Sequence, residues 1–181
     1  MSGFRFNGIH SNDFDIIVKS DDRTVLPSKR VTKYEIPGRD GVYESDAITY
    51  ENRIITVTIT FNGDDYTANA LRERVRTIAK WLSKKGQLIF DDEPDKAYQA
   101  QVTDGISISQ LTVWGECDIS FDCQPFAESI NYITTLKEIT AQKDDVDLTV
   151  QGTQDTPCII ILKNTGTTNI SGIKITRKAD D

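Results

Sequence analysis

Residues 53–61 read Arg53-Ile54-Ile55-Thr56-Val57-Thr58-Ile59-Thr60-Phe61. Ile55, Val57, Ile59 and Phe61 share one side, and Thr56, Thr58 and Thr60 the other. A period of two is the mark of a strand with one face on a core and one toward water. The chain as a whole holds 22 Ile, 10 Val and 20 Thr against 9 Ala and 8 Leu. β-Branched side chains are stiff at χ1 and suit a pleated surface better than a helix. The stretch and the composition together set a mainly β protein.

Toward the C-terminus one helix interrupts the strands. Leu71, Val75, Ile78 and Leu82 fall at i, i+4, i+7 and i+11, a single apolar stripe. Asp64, Asp65 or Thr67 can cap its start and Gly86 can end it, which places the helix at about 67–85. Strands resume at 87–90, 97–103 and 106–110. Residues 112–123 put Val113, Cys117, Ile119, Phe121 and Cys123 on one face, and Trp114, Glu116, Asp118, Ser120 and Asp122 on the other. Toward the N-terminus, Phe4 and Phe6, then Phe14, Ile16 and Val18, read as an opening hairpin around a polar turn. Residues 31–36 and 42–50 flank Pro37-Gly38-Arg39-Asp40-Gly41, the tip of a second hairpin; that stretch lacks the Gly-Lys-Ser/Thr of a phosphate loop.

Composition shifts after Phe126. This divides the chain into a first domain at 1–130, a polar linker at 131–145 and a short β segment at 146–181 with strand candidates at 146–150, 158–162 and 170–176. Some 40 residues are too few for a sandwich of about 100.

Charge and reactive side chains exclude several functions. With 21 Lys plus Arg against 28 Asp plus Glu, the net charge of −7 opposes non-specific binding to nucleic acid or anionic lipid. No apolar run reaches about 18 residues, so no membrane helix is expected, and the first residues carry no signal-peptide pattern. Cys117, Cys123 and Cys158 form no disulfide framework and read as buried free thiols. His10 is the single histidine, so a structural zinc site or a nucleophile–histidine system has almost nothing to use. Asp91, Asp92, Glu93 and Asp95 lack the alternating ligand order of a calcium loop and read as a solvated turn. Neither a metal nor a cofactor is expected, and no catalytic residue is assigned. Arg72, Arg74, Arg76, Lys80, Lys84 and Lys85 against Glu73 give the helix region a charge of +5, leaving −12 elsewhere. Such a helix reads by default as a solvated face, and otherwise suits an acidic surface of the same or a neighbouring chain.

The order of landmarks carries a resemblance. Phe4-Arg5-Phe6-Asn7-Gly8 through Ile16 opens the chain, followed by Ile36 to Gly41, the Thr-alternating strand and the Arg-rich helix with Trp81-Leu82. Then come Phe90-Asp91-Asp92-Glu93-Pro94-Asp95 and Phe121-Asp122-Cys123-Gln124-Pro125-Phe126. Over roughly residues 1–130 this resembles the siphophage distal tail protein family. The resemblance implies a β-sandwich first domain with one helix and a protruding hairpin, followed by the start of a galectin-like β domain. It implies a non-enzymatic virion component, made in the bacterial host's cytoplasm. Its copies would form a hexameric ring, or two stacked hexamers, with a central channel through which DNA passes without specific binding. Tail tube protein, tail-associated hub protein and receptor-binding or fibre proteins would be its partners, with no membrane involved. Pro37, Gly38, Arg39, Asp40 and Gly41 on the hairpin, and Arg72, Arg74 and Arg76 on the helix, are the expected subunit-interface residues. Two other function classes compete: a carbohydrate-binding adaptor using Trp114, and a small hydrolase using Glu116, Asp118 and Asp122.

Overall fold

The alternating stretch forms β8 (Arg53–Phe61) in a computed structural model of the chain. The structure describes residues 3–44, 49–61, 67–105, 116–140, 144–148, 152–154, 156 and 158–176. Ile55, Val57, Ile59 and Phe61 are buried, as the period of two requires. β8 pairs antiparallel with β11 (Cys117–Cys123) on one side and β3 (Ile16–Asp22) on the other. The sheet continues from β11 through β10 (Lys96–Val102), β9 (Gly86–Phe90), β1 (Phe4–Phe6) and β2 (Ile9–His10). A short β12 (Glu128–Ser129), not expected from the polar sequence there, also pairs with β10.

The sheet curls strongly. Phe4 and Phe6 of β1 each bring their rings to 5.6 Å from Phe121 of β11. β9 and β10 lie between these strands, so in a flat sheet they would be about 14 Å apart at three inter-strand spacings. Curling sets the two halves of the sheet face to face across one core, as the layers of a sandwich are. Helix α1 (Ala68–Leu82) adds Val75, Ile78, Trp81 and Leu82 to that core.

The opening hairpin differs from expectation. β1 turns through Asn7-Gly8 into β2, and the two residues take φ of 52° and 82°. Both dihedrals are positive, which Asn-Gly tolerates best and which matches the twist of a two-residue hairpin. A 3-10 helix (Ser11–Phe14) then carries the chain to β3 at the opposite edge of the sheet. Phe14, Ile16 and Val18 therefore do not pair with Phe4 and Phe6.

Gly86 is also placed differently. The helix ends at Leu82 with Ser83 as its C-cap, and Gly86 opens β9 opposite Ala100. The Asn7 side chain lies over it: a Cβ on Gly86 would sit 1.5 Å from Asn7 Oδ1. Substitution Gly86→Ala is expected to cost about 1–3 kcal/mol through overpacking. Asn7→Gly in the same chain should recover most of that loss, because it removes the obstructing amide. Urea unfolding of the two single variants and the double variant measures the coupling.

Met1–Ile133 and Thr134–Asp181 are separate units. In the second unit the described residues of the three strand candidates carry no regular secondary structure, and Ile159, Ile161 and Ile170 are exposed. A strand needs a hydrogen-bonded neighbour, and apolar alternation alone does not supply one. Cys158 is exposed, contrary to expectation, whereas Cys117 and Cys123 are buried. Burial pushes the Cys117 thiol up to about 11 and that of Cys123 up to about 12, so neither is a ready nucleophile.

Candidate subunit interface

Between β3 and β8 the chain leaves the curled sheet and returns. β4 (Lys29–Arg30) pairs with β7 (Thr49–Tyr50), and β5 (Lys33–Glu35) with β6 (Val42–Glu44), so the described residues 29–44 and 49–50 form an arm. Its reversal follows from two residues. Pro37 fixes φ, Gly38 takes φ of 82°, and the Arg39 N–H donates to the Ile36 carbonyl at 3.1 Å. Pro followed by a positive-φ Gly is the signature of a type II turn. Pro37, Gly38, Arg39, Asp40 and Gly41 thus occupy the arm's tip.

The arm's side chains lack a core. Tyr34 and Tyr43 stand directly opposite one another and are 55% and 52% exposed, and Ile36 and Val42 are also exposed. Opposed residues of an antiparallel pair point to the same face, so the two tyrosines make one aromatic surface. Two unsupported strands are marginal in water, and their outer edges present unpaired backbone groups. The Lys33–Glu44 pair at 3.4 Å is exposed and adds little.

The helix arginines are placed on the outer side of α1 but are not equally free. Arg76 Nη1 donates to Glu73 Oε1 at 2.5 Å within the helix. Arg74 faces Asp15 at 3.8 Å, and Arg72 is exposed with no ion pair among the described residues. No ion pair joins these residues to the arm tip among the described residues.

The acidic turn after β9 is exposed, as expected, and is also tied to its neighbours. Asp91 accepts the Gly3 N–H at 2.7 Å and the His10 Nε2–H at 3.1 Å. Asp92 and Glu93 hold Arg23, which also bonds Asp21 at 2.6 Å. Glu93 further accepts the Tyr98 hydroxyl at 3.0 Å and pairs with Lys96 at 3.3 Å. Arg23 had no motif to announce it; a lone Arg ending the run Asp21-Asp22-Arg23, in a chain with a second acidic run at 91–93, is the available signal.

His10 is committed on both ring nitrogens: Nδ1 accepts the Asn12 N–H at 3.1 Å, which leaves the proton on Nε2 for Asp91. The neighbouring Ser11 is buried and its hydroxyl accepts the Phe4 N–H at 3.3 Å. The carboxylates of β11 are likewise engaged, Asp118 by Thr58 at 2.7 Å and Asp122 by Gln101 at 3.0 Å, while Glu116 lies 3.9 Å from Lys19. Trp114 lies outside the described residues.

These ties have a pH signature. Hydrogen bonds from Arg23 hold the Asp92 carboxyl below its ordinary 3.8. Burial raises that of Asp91, but the Gly3 N–H and His10 outweigh it, and the net shift is downward. A carboxyl lowered on folding contributes stability that is complete above the unfolded value and lost as pH falls through the folded one. Stability is therefore expected to decline as pH drops below about 4, and Asp92→Asn should make that decline shallower. Thermal midpoints from pH 6 to 2 test it.

The described residues thus form a curled antiparallel β domain that carries an exposed two-stranded arm. A family model for the phage tail protein RIFT-related domain matches residues 10–123, and the chain belongs to that family. The fold is similar to the crystal structure of SPP1 Dit (gp 19.1), described as a paradigm of the hub adsorption apparatus in phages infecting Gram-positive bacteria. The TM-score is 0.59 at 20% identity, over 71% of this chain and 52% of that one. This chain thus spans about half the length of that protein. No curated relative matches it by sequence.

Proposed function

We propose that the protein is a structural component of a long non-contractile phage tail, a ring-forming hub between the tail tube and the tail tip. The observation that carries the reading is the arm: an exposed two-stranded ribbon with an aromatic face, on a domain of a phage tail family. Such a ribbon gains a core by lying on a neighbouring copy, and a head-to-tail contact of this kind generates a ring. The similarity to a protein described as part of a hub adsorption apparatus supports the same reading. Six copies, or two stacked rings of six, would surround a channel for DNA. The chain's net charge of −7 favours a lumen that repels the phosphate backbone and lets DNA slide. Partners would be the tube protein, a tail-associated hub protein and receptor-binding or fibre proteins, and residues from about 146 would begin a second, galectin-like β domain.

Size-exclusion chromatography with light scattering over a concentration series tests the reading. A mass of about six or twelve times 20.3 kDa supports it, and a monomer throughout argues against self-assembly. Replacing Arg72, Arg74 and Arg76 with Glu should lower that mass to the monomer's while the circular dichroism spectrum stays β. A ring that survives all three charge reversals removes the helix from the interface.

A further inference from the structure

We propose that Arg23 and Arg53 are positioning residues for the arm: they clamp its root to the curled sheet and fix the direction in which it leaves. The proposal rests on the reading of the arm as the contact to a second copy.

The two arginines bracket the insertion. Arg23 follows the last residue of β3, and Arg53 is the first residue of β8. The described residues between them, 24–44 and 49–52, are the arm and its root. Both guanidinium groups reach the same pair of rings. Arg23 lies 4.5 Å above Phe90 of β9, and Arg53 lies 4.6 Å above Tyr98 of β10. The rings meet edge to face at 6.1 Å, so the two stacks form one block.

Hydrogen bonds then cross the root. Arg53 Nη1 donates to the Thr24 carbonyl at 2.7 Å, tying the returning strand to the departing one. Arg23 Nη1 donates to Asp92 Oδ1 at 3.1 Å and to Glu93 Oε2 at 3.4 Å, Nη2 meets Asp92, and Nε meets Asp21. Glu93 also receives the Tyr98 hydroxyl, closing a loop between the two stacks. One sign of the constraint is Arg53 Nε, which is buried without a hydrogen-bond partner among the described residues. Leaving a charged donor unpaired is costly, and a lysine would avoid that cost. A lysine would also lose the planar stack and the fork that hold this geometry.

Farther out, among the described residues the root is held by the short β4–β7 pairing, the Glu51 N–H to the Ser28 carbonyl at 2.9 Å, Tyr50 against Phe126 at 5.0 Å and the buried Pro27. A two-stranded ribbon so held would swing if the clamp were loosened. Direction matters for assembly. A head-to-tail contact closes into a ring only when each copy turns by the same angle, and otherwise gives open chains.

The test uses Arg23→Lys and Arg53→Lys in the full chain, which keep the charge. Hydrogen exchange at the amides of residues 29–30 and 49–51 reports the root, and light scattering reports assembly. Exchange about tenfold faster than wild type, together with a discrete oligomer giving way to a spread of sizes, is the expected result. Unchanged exchange overturns the clamp. Faster exchange with an unchanged discrete oligomer overturns its role in assembly. If the wild-type chain forms no discrete oligomer, the hub reading fails, while exchange still decides whether the clamp holds the arm. Should a lysine variant unfold, Glu93→Gln weakens the same block from the opposite side and is read by the same two measurements.

Discussion

Alanine at Trp81 is expected to remove about 3–5 kcal/mol of stability, the upper range for a buried aromatic. Trp81 is where the helix meets the curled sheet. Its ring stacks on Phe14 at 4.5 Å and on Phe4 at 5.7 Å, and meets Phe6 edge-on at 6.2 Å. Its Nε1–H donates to the Phe6 carbonyl at 2.9 Å in the interior. Truncation therefore opens a cavity among three phenylalanines and strips a buried carbonyl of its donor. A domain with 5–15 kcal/mol in hand would be left marginal. Trp81→Phe separates the two terms, because it keeps most of the ring contact and loses only the donor. A cost of about 1–3 kcal/mol is expected for it. Urea unfolding followed by far-ultraviolet circular dichroism gives both values, and equal losses for the two variants would refute this division.

The core was legible where the period was long. Seven residues of alternation, 55–61, located β8, and the alternation of 112–123 located β11, because each strand buries one face. The helix was legible from its stripe, and its end was misplaced only because Gly86 serves a different need: room for the Asn7 side chain at the start of a strand. Pairing was less legible. Phe4 and Phe6 lie twelve and ten residues before Ile16, yet β1 and β3 stand near opposite ends of one sheet. Alternation gives the face of a strand and not its neighbour. The arm followed the same pattern. The arm's tip was readable from Pro37-Gly38 because turn chemistry is local. The clamp was not, because Arg23 meets Asp92 from 69 positions away and its worth depends on ring faces that only folding brings together. The tail misled for the converse reason: residues 158–162 are a continuous apolar run such as a buried strand shows, but among the described residues they are exposed and form no strand.

Serine at both Tyr34 and Tyr43 is expected to dissolve the assembly without unfolding the chain. Each tyrosine is about half exposed in the isolated chain, so neither supports the core, and surface changes of this kind shift stability by about 0.5 kcal/mol or less. Against a neighbour the same rings would bury most of their remaining area, with the hydroxyl still able to reach water or a backbone group at the rim. Tyrosine is among the residues that dominate interface energetics, with losses of about 2 kcal/mol or more on truncation. Two such losses at every contact weaken each one by about a thousandfold. A ring repeats its contact at every junction, so the loss falls on all of them together. The double variant should therefore elute at the monomer mass at concentrations where the wild-type chain is a ring, with an unchanged thermal midpoint for the monomeric fold. Serine retains the β-compatible backbone and a hydroxyl, so the arm keeps its ladder, and loss of the ring would be assigned to the aromatic face. Should the variant still assemble at the wild-type mass, the copies meet through another surface. The outer edge of β3, unpaired among the described residues, would then be the next strand to probe.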